Sequence, residues 1–303
     1  MNKFEDEINL LELFAIIWKR KFFVLVFTSV IAIFSVFYSL SLQNVYISSG
    51  ILAPTNQTDS LSSKLGAYSG LASLTGLNLP TNTGSKTQEA TERIQSFNFF
   101  TKYFLANIKL ENLLAVDKWV QEGNSLIYND KLFDYNSGKW TREVTFPKKK
   151  IPSDQEAFEK YKNILTIDTN AETGFINISI EHQSPIIAKK WVDIIIHNIN
   201  ESMRELDKQE AQNSIAFLNE LTKSTSVQSI KEIISKLLES QMQTLMLASS
   251  EKEYVFKVID SPIAPEKKSG PRRAFICIMG TILGGFLSLL IVFIQFYRDL
   301  IKN

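Results

Sequence analysis

Two uncharged apolar blocks bracket a long stretch in which apolar and polar residues alternate with shorter periods. Phe22 to Leu42 carries no charge over 21 residues, and Ala274 to Phe296 carries none over 23. At 1.5 Å per residue each block makes a helix of about 30–35 Å, enough to cross a bilayer core of ~30 Å. The first block is longer than the apolar core of a secretory signal, and a polar, charged segment of 21 residues precedes it, so an uncleaved anchor is expected rather than a cleaved peptide.

Between the blocks the period changes repeatedly. "NVYISSGILAP" alternates and predicts a strand near 45–53 that ends at Pro54. Residues 55–87 are rich in Ser, Thr, Gly and Asn and predict a mobile loop with a weak helix near 60–75, or a small-residue lining between subunits. A helical pattern returns from Thr87 to Phe104, and a second short helix is expected over 109–119. Residues 125–148 read as loops with short strands. Trp140, Tyr128 and Tyr135 there are packing anchors or, in the alternative, a carbohydrate-contacting set. "PKKKIP" at 147–152 reads as a solvated turn. Ser153 with Glu156 three residues later has the capping-box spacing and opens a helix to about 164. Strands follow at 165–169 and 174–181, and Ser184-Pro185 has the form of a helix start.

From that point the helical period persists. Trp191, Ile195, Ile199, Met203 and Leu206 form one stripe, continued by Ile215, Leu218 and Thr222. "KSTSVQS" interrupts it, and a second helix over 227–248 carries Ile230, Ile233, Leu237, Met242 and Leu245. Two apolar stripes joined by a short Ser/Thr turn predict an antiparallel helical hairpin over about 185–250. A last strand is expected at 252–260. The sheet would then join strands far apart in sequence and bring the two membrane connections together.

The expected fold is therefore an α+β membrane protein: two transmembrane helices flank an external α/β base with a long projecting helical hairpin. Its parts are a cytoplasmic amphipathic tail over 1–21, a first span over 22–42 and an external domain over 43–273. A proline-rich connector over 261–273, a second span over 274–296 and a cytoplasmic tail over 297–303 follow. The tail "KFEDEINLLELFAII" is amphipathic, fit to lie on the membrane or to dock a cytoplasmic partner.

Charge sets the orientation. Lys19, Arg20 and Lys21 precede the first span, whose far side begins Gln43-Asn44, so the positive-inside rule puts the N-terminus in the cytoplasm. Lys267, Lys268, Arg272 and Arg273 before the second span argue the other way. The first span usually dominates, and a long loop translocates largely regardless of its charge. The formal net charge of +1 argues against a nucleic-acid binder. The one cysteine, Cys277, lies in the second span, so no disulfide can form within the chain and the external domain stands on its own core.

Catalytic signatures do not occur: there is no HxxxH, CxxC, Walker loop or GxSxG, and the two histidines are His182 and His197. No cofactor and no metal site are expected. Three features of the second span region do have a physical role. Pro262, Pro265 and Pro271 fix φ and lack a backbone donor, which keeps 261–271 out of both strand and helix and makes a stiff connector. Lys267, Lys268, Arg272 and Arg273 would sit at the headgroup level as interface cations, facing lipid phosphate or a polyanionic glycan carrier. Gly280 and Gly284 form GxxxG, a close-packing face for Ser29, Ala32 and Ser35 of the first span or for a neighbouring subunit.

Several stretches together resemble the bacterial polysaccharide chain-length determinants, the Wzz-type polysaccharide co-polymerases. They are "INLLELFAIIWKRKFFVLV", "YISSGILAP", "ISIEHQSPIIAKKWVDIIIHNIN" and "LLESQMQTLMLASSEKEYVFKVIDSPIAPEKKSGPRRAFI". The resemblance spans essentially the full length, and the order and spacing of these loose motifs across two spans is its specific part. It implies a non-enzymatic regulator in the bacterial inner membrane with its main domain in the periplasm. Such proteins form ring- or bell-shaped homo-oligomers and set the modal length of O-antigen or a related glycan while a Wzy-type polymerase does the chemistry. Membrane lipids and the nascent polysaccharide are further implied partners. The kinase-bearing branch of the family would add a Walker-containing domain, so the stand-alone class is expected. Two other classes stay open: an adaptor for polysaccharide export or a tyrosine autokinase, and a periplasmic glycan-modifying enzyme.

Overall fold

A computed structural model describes residues 18–55 and 86–302 of the chain. The predicted amphipathic stretch 3–17, and most of the 55–87 segment with its helix near 60–75, lie outside the described residues. In chain order the elements are helix α1 (Lys21–Ser41), strand β1 (Tyr46–Pro54), helix α2 (Lys86–Ile94) and helix α3 (Phe97–Phe99). A π-turn (Phe100–Phe104) and a 3-10 turn (Leu105–Asn107) extend α3. Helix α4 (Leu110–Leu114) and strands β2 (Val116–Val120), β3 (Ser125–Tyr128), β4 (Phe133–Asp134) and β5 (Lys139–Trp140) follow. Next come α5 (Asp154–Ile164), β6 (Leu165–Thr169), β7 (Ile176–His182), α6 (Pro185–Ser224), α7 (Gln228–Ser250), β8 (Phe256–Asp260) and α8 (Arg273–Lys302). The chain divides into two compact units, one made of the two ends (Met1–Val45 with Lys268–Asn303) and one of Tyr46–Lys267.

The larger unit is built on a four-stranded antiparallel sheet in the order β6-β7-β1-β8. The period-2 alternation of β7 turns Ile176, Ile178 and Ile180 to one face, opposite Leu52, Gly50 and Ser48 of β1. The first half of α6 covers that face with Trp191, Val192, Ile195 and Ile199, all buried. Aromatic rings fill the end of this layer: Phe104 lies 4.7 Å from Tyr161 and 5.5 Å from Trp191, and Phe100 lies 5.0 Å from Tyr161. Tyr161 is fully buried and donates its hydroxyl to the Ile94 carbonyl at 3.0 Å, which fastens α5 to the end of α2. The close approach of α6 to the sheet falls at Gly50. A Cβ there would meet Ile196 Cδ1 at 3.0 Å and Pro262 Cδ at 3.3 Å.

Helix ends follow the expected chemistry. Ser153 Oγ accepts from the Glu156 N–H at 3.3 Å, and Glu156 Oε1 accepts from the Ser153 N–H at 3.3 Å, a complete capping box. Arg142 donates to both oxygens of the same carboxylate at 2.5 and 3.0 Å and holds Glu156 down to about 2. Ser184 caps α6 through the Ile187 N–H, with Pro185 in the first turn.

Four sequence expectations are corrected. The helix expected over 87–104 is broken after Ile94: Ser96 takes an extended conformation and its Oγ accepts from the Phe99 N–H at 3.2 Å, so a new helical turn starts there. The helix expected over 109–119 stops at Leu114, and Val116–Val120 pairs with Ser125–Tyr128 as a hairpin. Gly123 and Asn124 make that turn at φ of 80° and 48°, and Asn124 Oδ1 accepts from Trp119 Nε1 at 2.8 Å. The last strand starts at Phe256 rather than 252, because Tyr254 and Val255 enter buried polar contacts described below. The α6 stripe leaves Leu206 and runs instead through Asp207, Ala211 and Leu218. A step of four residues advances more than one 3.6-residue turn, so the buried line rotates from the sheet side toward α7.

The upper half of α6 and α7 form the antiparallel pair, joined around Leu218, Ile234 and Leu237 with Leu221, Ile230, Ile233 and Leu238. At 1.5 Å per residue the 40 residues of α6 extend about 60 Å and the 23 of α7 about 35 Å.

Three buried polar groups bind these layers together. Asn200 on α6 accepts from the Val255 and Phe256 N–H groups at 2.9 Å each and donates to the Phe256 and Ile196 carbonyls at 3.0 and 3.3 Å. All four of its hydrogen-bonding positions are used. Asp207, one further turn pair along α6, receives Lys86 at 2.7 Å and the Tyr254 hydroxyl at 2.7 Å. Burial, and then this carboxylate, push the Tyr254 hydroxyl well above its ordinary range. His182 ends β7. Its Nδ1 accepts from the Ser184 N–H at 2.9 Å, so its Nε2–H donates to the Asn112 carbonyl at 2.9 Å. Burial lowers its pKa to about 4, and its ring meets Trp191 at 4.8 Å.

Candidate functional site

The residues singled out in the sequence fall in both units, which are described separately. In the unit made of the chain ends, α1 and α8 are long and apolar enough to cross a membrane. They pair antiparallel and in register: Arg20 donates to Gln295 at one end, Ser35 Oγ donates to the Ile276 carbonyl at 3.0 Å, and Val45 bridges Gly270 at the other. On α8 the line of closest approach is Gly280, Gly284, Ser288 and Val292, with the last three buried. On α1 it is Ile31, Ser35 and Ser39.

Gly280 and Gly284 are required by this approach. A Cβ on Gly280 would lie 2.3 Å from Ser35 Oγ, and one on Gly284 would lie 2.9 Å from Ile31 Cβ. The GxxxG face therefore does meet Ser35. At Gly284 the partner is Ile31 rather than Ala32, and Ser29 is exposed on another side of α1. Without lipid-excluding hydrophobic force between spans, such backbone proximity and van der Waals fit supply the association.

The flanking cations have distinct placements. Arg273 opens α8, where a cation opposes the helix dipole, but its Nη2 donates to the Leu42 carbonyl at 3.3 Å and to Asn44 Oδ1 at 3.2 Å. Leu42 is the C-cap of α1, the end of a helix that favours positive charge. Lys268 donates to the same Asn44 Oδ1 at 3.2 Å. Arg272 and Lys267 are exposed. At the opposite end Lys21 lies 4.7 Å over the Trp18 ring, Arg20 reaches Gln295, and Lys19 is exposed.

The connector divides between the units. Pro262 is buried in the larger one, against Gly50, and the β8 ladder ends two residues earlier at Asp260. Without a proline N–H the lane beside β1 cannot continue as a ladder. Ser48 Oγ instead donates to the Ile263 carbonyl at 2.7 Å. Pro265 is half-buried. Pro271 belongs to the unit of chain ends, where the neighbouring Gly270 carbonyl accepts from the Val45 N–H at 3.0 Å and the Pro271 carbonyl accepts from the Arg273 N–H at 3.0 Å. His197 is exposed on α6. Asn200, Asp207 and Lys86 were not singled out in the sequence. The available signal was a polar residue on an apolar helical stripe, at Asn200 and Asp207.

The family described as "Chain length determinant protein" (Wzz) matches residues 6–112, which include α1 and β1. A second family, described as "G-rich domain on putative tyrosine kinase" (GNVR), matches residues 219–296. The Wzz match contains Lys19, Arg20 and Lys21, and the GNVR match contains Pro262, Pro265, Pro271, Lys267, Lys268, Arg272, Arg273, Gly280 and Gly284. No curated protein matches the chain. Among solved structures, a full-length bacterial polysaccharide co-polymerase is 12% identical over 97% of this chain and 99% of its own, with a TM-score of 0.38. A fragment of WzzB, a polysaccharide co-polymerase from Salmonella Typhimurium, is 14% identical over 75% of this chain and 100% of its own, with a TM-score of 0.30.

Proposed function

We propose that this protein is a Wzz-type chain length determinant, a non-enzymatic regulator of surface polysaccharide chain length, for lipopolysaccharide O-antigen or a related glycan. It acts with a Wzy-type polymerase at the periplasmic face of the bacterial inner membrane. The observation that carries this reading is the placement of the two family matches, which fall on the two ends of the chain that form the paired spans. In this reading residues 1–21 and 297–303 are cytoplasmic and 43–273 periplasmic, with Lys19, Arg20 and Lys21 anchoring the topology. Arg272, Lys267 and Lys268 are exposed and available to lipid phosphate, whereas Arg273 engages the Leu42 carbonyl at the end of α1. The protein works as a homo-oligomer whose geometry passes to the membrane through the connector held by Pro262, Pro265 and Pro271.

The test is deletion of the gene followed by gel display of the surface polysaccharide. Polymer that persists with scattered lengths supports the reading, and a wild-type length distribution overturns it. The GNVR match favours a second reading, an adaptor for a tyrosine autokinase. That reading requires loss of polymer on deletion and a change in cellular phosphotyrosine, which the first reading does not.

A further inference from the structure

A groove of about 590 Å³ opens in the larger unit between α6 and the irregular helical segment that begins at α3. One wall is a stripe of α6 at three- and four-residue steps, Ser202, Glu205, Gln209 and Gln212. The other wall presents Tyr103 and Lys102, with Arg93 at the end of α2.

Local geometry holds these groups in place. Phe99, Phe100 and Phe104 are buried in the core, and the half-buried Tyr103 packs on Phe99 as a tilted ring pair at 5.5 Å at the groove wall. The Tyr103 carbonyl accepts from both Asn107 Nδ2 at 2.7 Å and Asn198 Nδ2 at 3.1 Å, so its backbone is fixed from two elements. Glu89 holds the Arg93 guanidinium at 3.0 Å. Lys102 lies 5.1 Å over the Tyr103 ring and, among the described residues, has no carboxylate within ion-pair distance. A site set in advance loses less freedom on binding.

The chemistry selects a ligand class. Amide and hydroxyl side chains each offer a donor and an acceptor, which is what a polymer of hydroxyls requires. A ring face with a polar edge suits the apolar face of a sugar. The volume falls in the range of small-ligand sites, ~300–1,000 Å³. A partner helix would need an apolar stripe; among the α6 residues of this lining the apolar one is Leu206, 36% exposed. Arg93 is paired with Glu89 and Lys208 with Glu205, so Lys102 is the lining cation left for an acidic sugar.

We infer that this groove binds a short segment of the polysaccharide directly, with Tyr103 as the stacking face and Gln209, Gln212 and Ser202 reading hydroxyls. Lys102 would pair with an acidic sugar substituent. The inference rests on the chain-length reading above and gives it a physical contact with the glycan. The test uses the full-length protein in nanodiscs. Its probe is short oligosaccharide released from the source cell's own surface polysaccharide, followed by saturation-transfer NMR and titration. Wild-type protein should bind. Gln209→Ala, on the exposed helix face, and Tyr103→Ala should each weaken affinity about tenfold, and the double variant should show no transfer. Tyr103→Phe, which keeps the ring, and Lys149→Ala, outside the groove lining, should bind as wild type. Lys102→Glu should weaken binding of an acidic oligosaccharide most at low salt.

Absence of transfer to wild type overturns the inference, as does unchanged affinity in Gln209→Ala with Tyr103→Ala. Dissociation of the assembly in the double variant, read by mass photometry, also overturns it, because the groove would then be a subunit contact. The two readings fail separately. Scattered polysaccharide lengths on gene deletion without oligosaccharide binding sink the groove alone. An unaltered ladder on deletion sinks the chain-length function whatever the groove binds.

Discussion

Replacing Asn200 by Leu should release the returning chain from α6 without changing side-chain bulk greatly. In the native protein Asn200 is 5% exposed and serves the Val255 and Phe256 N–H groups and the Phe256 carbonyl at 2.9–3.0 Å. Leucine strands those backbone groups in a buried place, at about 1–3 kcal/mol for each group left without a partner. Part of that cost is recovered where the strand shifts and water enters, so a net loss of about 3–4 kcal/mol is expected. Because about 1.4 kcal/mol is a factor of ten, the amides of Val255 and Phe256 should exchange with solvent ~10²–10³ times faster. Hydrogen exchange with mass spectrometry on the full-length protein in nanodiscs reads this directly, over peptides covering 251–260. Asn200→Asp separates the two halves of the contact. It keeps an acceptor for both N–H groups and sets a second carboxylate oxygen against the Phe256 carbonyl, so protection should fall to an intermediate level. Unchanged exchange across 251–260 in Asn200→Leu would refute the reasoning, since it would mean that the β1–β8 ladder alone holds that segment.

The remaining predictions concern the spans, pH and the connector. Gly280→Leu should lower the melting midpoint of the detergent-solubilised protein, because its Cβ would lie 2.3 Å from Ser35 Oγ and overpacking costs about 1–3 kcal/mol. Gly285→Leu, where nothing lies within 4 Å, should leave the midpoint nearly in place; equal effects at both positions would exclude close packing as the cause. His182 is held neutral, with a pKa lowered from 6.5 to about 4, so the unfolded chain binds the proton first as pH falls. Its contribution is complete above pH 6.5 and is lost between 6.5 and 4, about 2 kcal/mol of it by pH 5. His182→Gln should remove that part of the acid sensitivity in melting curves at pH 7 and pH 5, and a pH slope equal to wild type would disprove the assignment. Pro262→Ala with Pro265→Ala should leave the protein folded yet shift the modal polysaccharide length. A gel ladder unchanged from wild type would take the connector out of the mechanism.

Much of the architecture could be read from local pattern. The spans are uncharged over more than 20 residues, a signal no neighbour can alter. The α5 start was legible because Ser153 and Glu156 satisfy each other's backbone across three residues. Strands β1, β6 and β7 alternate because one face is covered, and register then follows from which side is apolar. The misreadings share a cause. At Ser96 a side chain competed with the helix for a backbone N–H, and at Val116–Val120 pairing with a strand beyond a Gly123-Asn124 turn outweighed a helical period. Both outcomes depend on groups that the local window does not weigh.

Sequence alone therefore determined the two long apolar helices near the chain ends, the capped starts of α5 and α6, and the pairing of α6 with α7. Each depends on residues within about one helical turn or strand of each other. Tertiary structure decided which distant groups meet. It placed Asn200 against Val255 and Phe256, Asp207 between Lys86 and Tyr254, Ile31 and Ser35 against the two glycines, and Arg273 at the end of α1. It also set the α6 stripe against the α3 segment as a polar groove. A buried polar side chain is stable only where its partner arrives from elsewhere in the chain, so its meaning cannot be read until the fold has brought that partner to it.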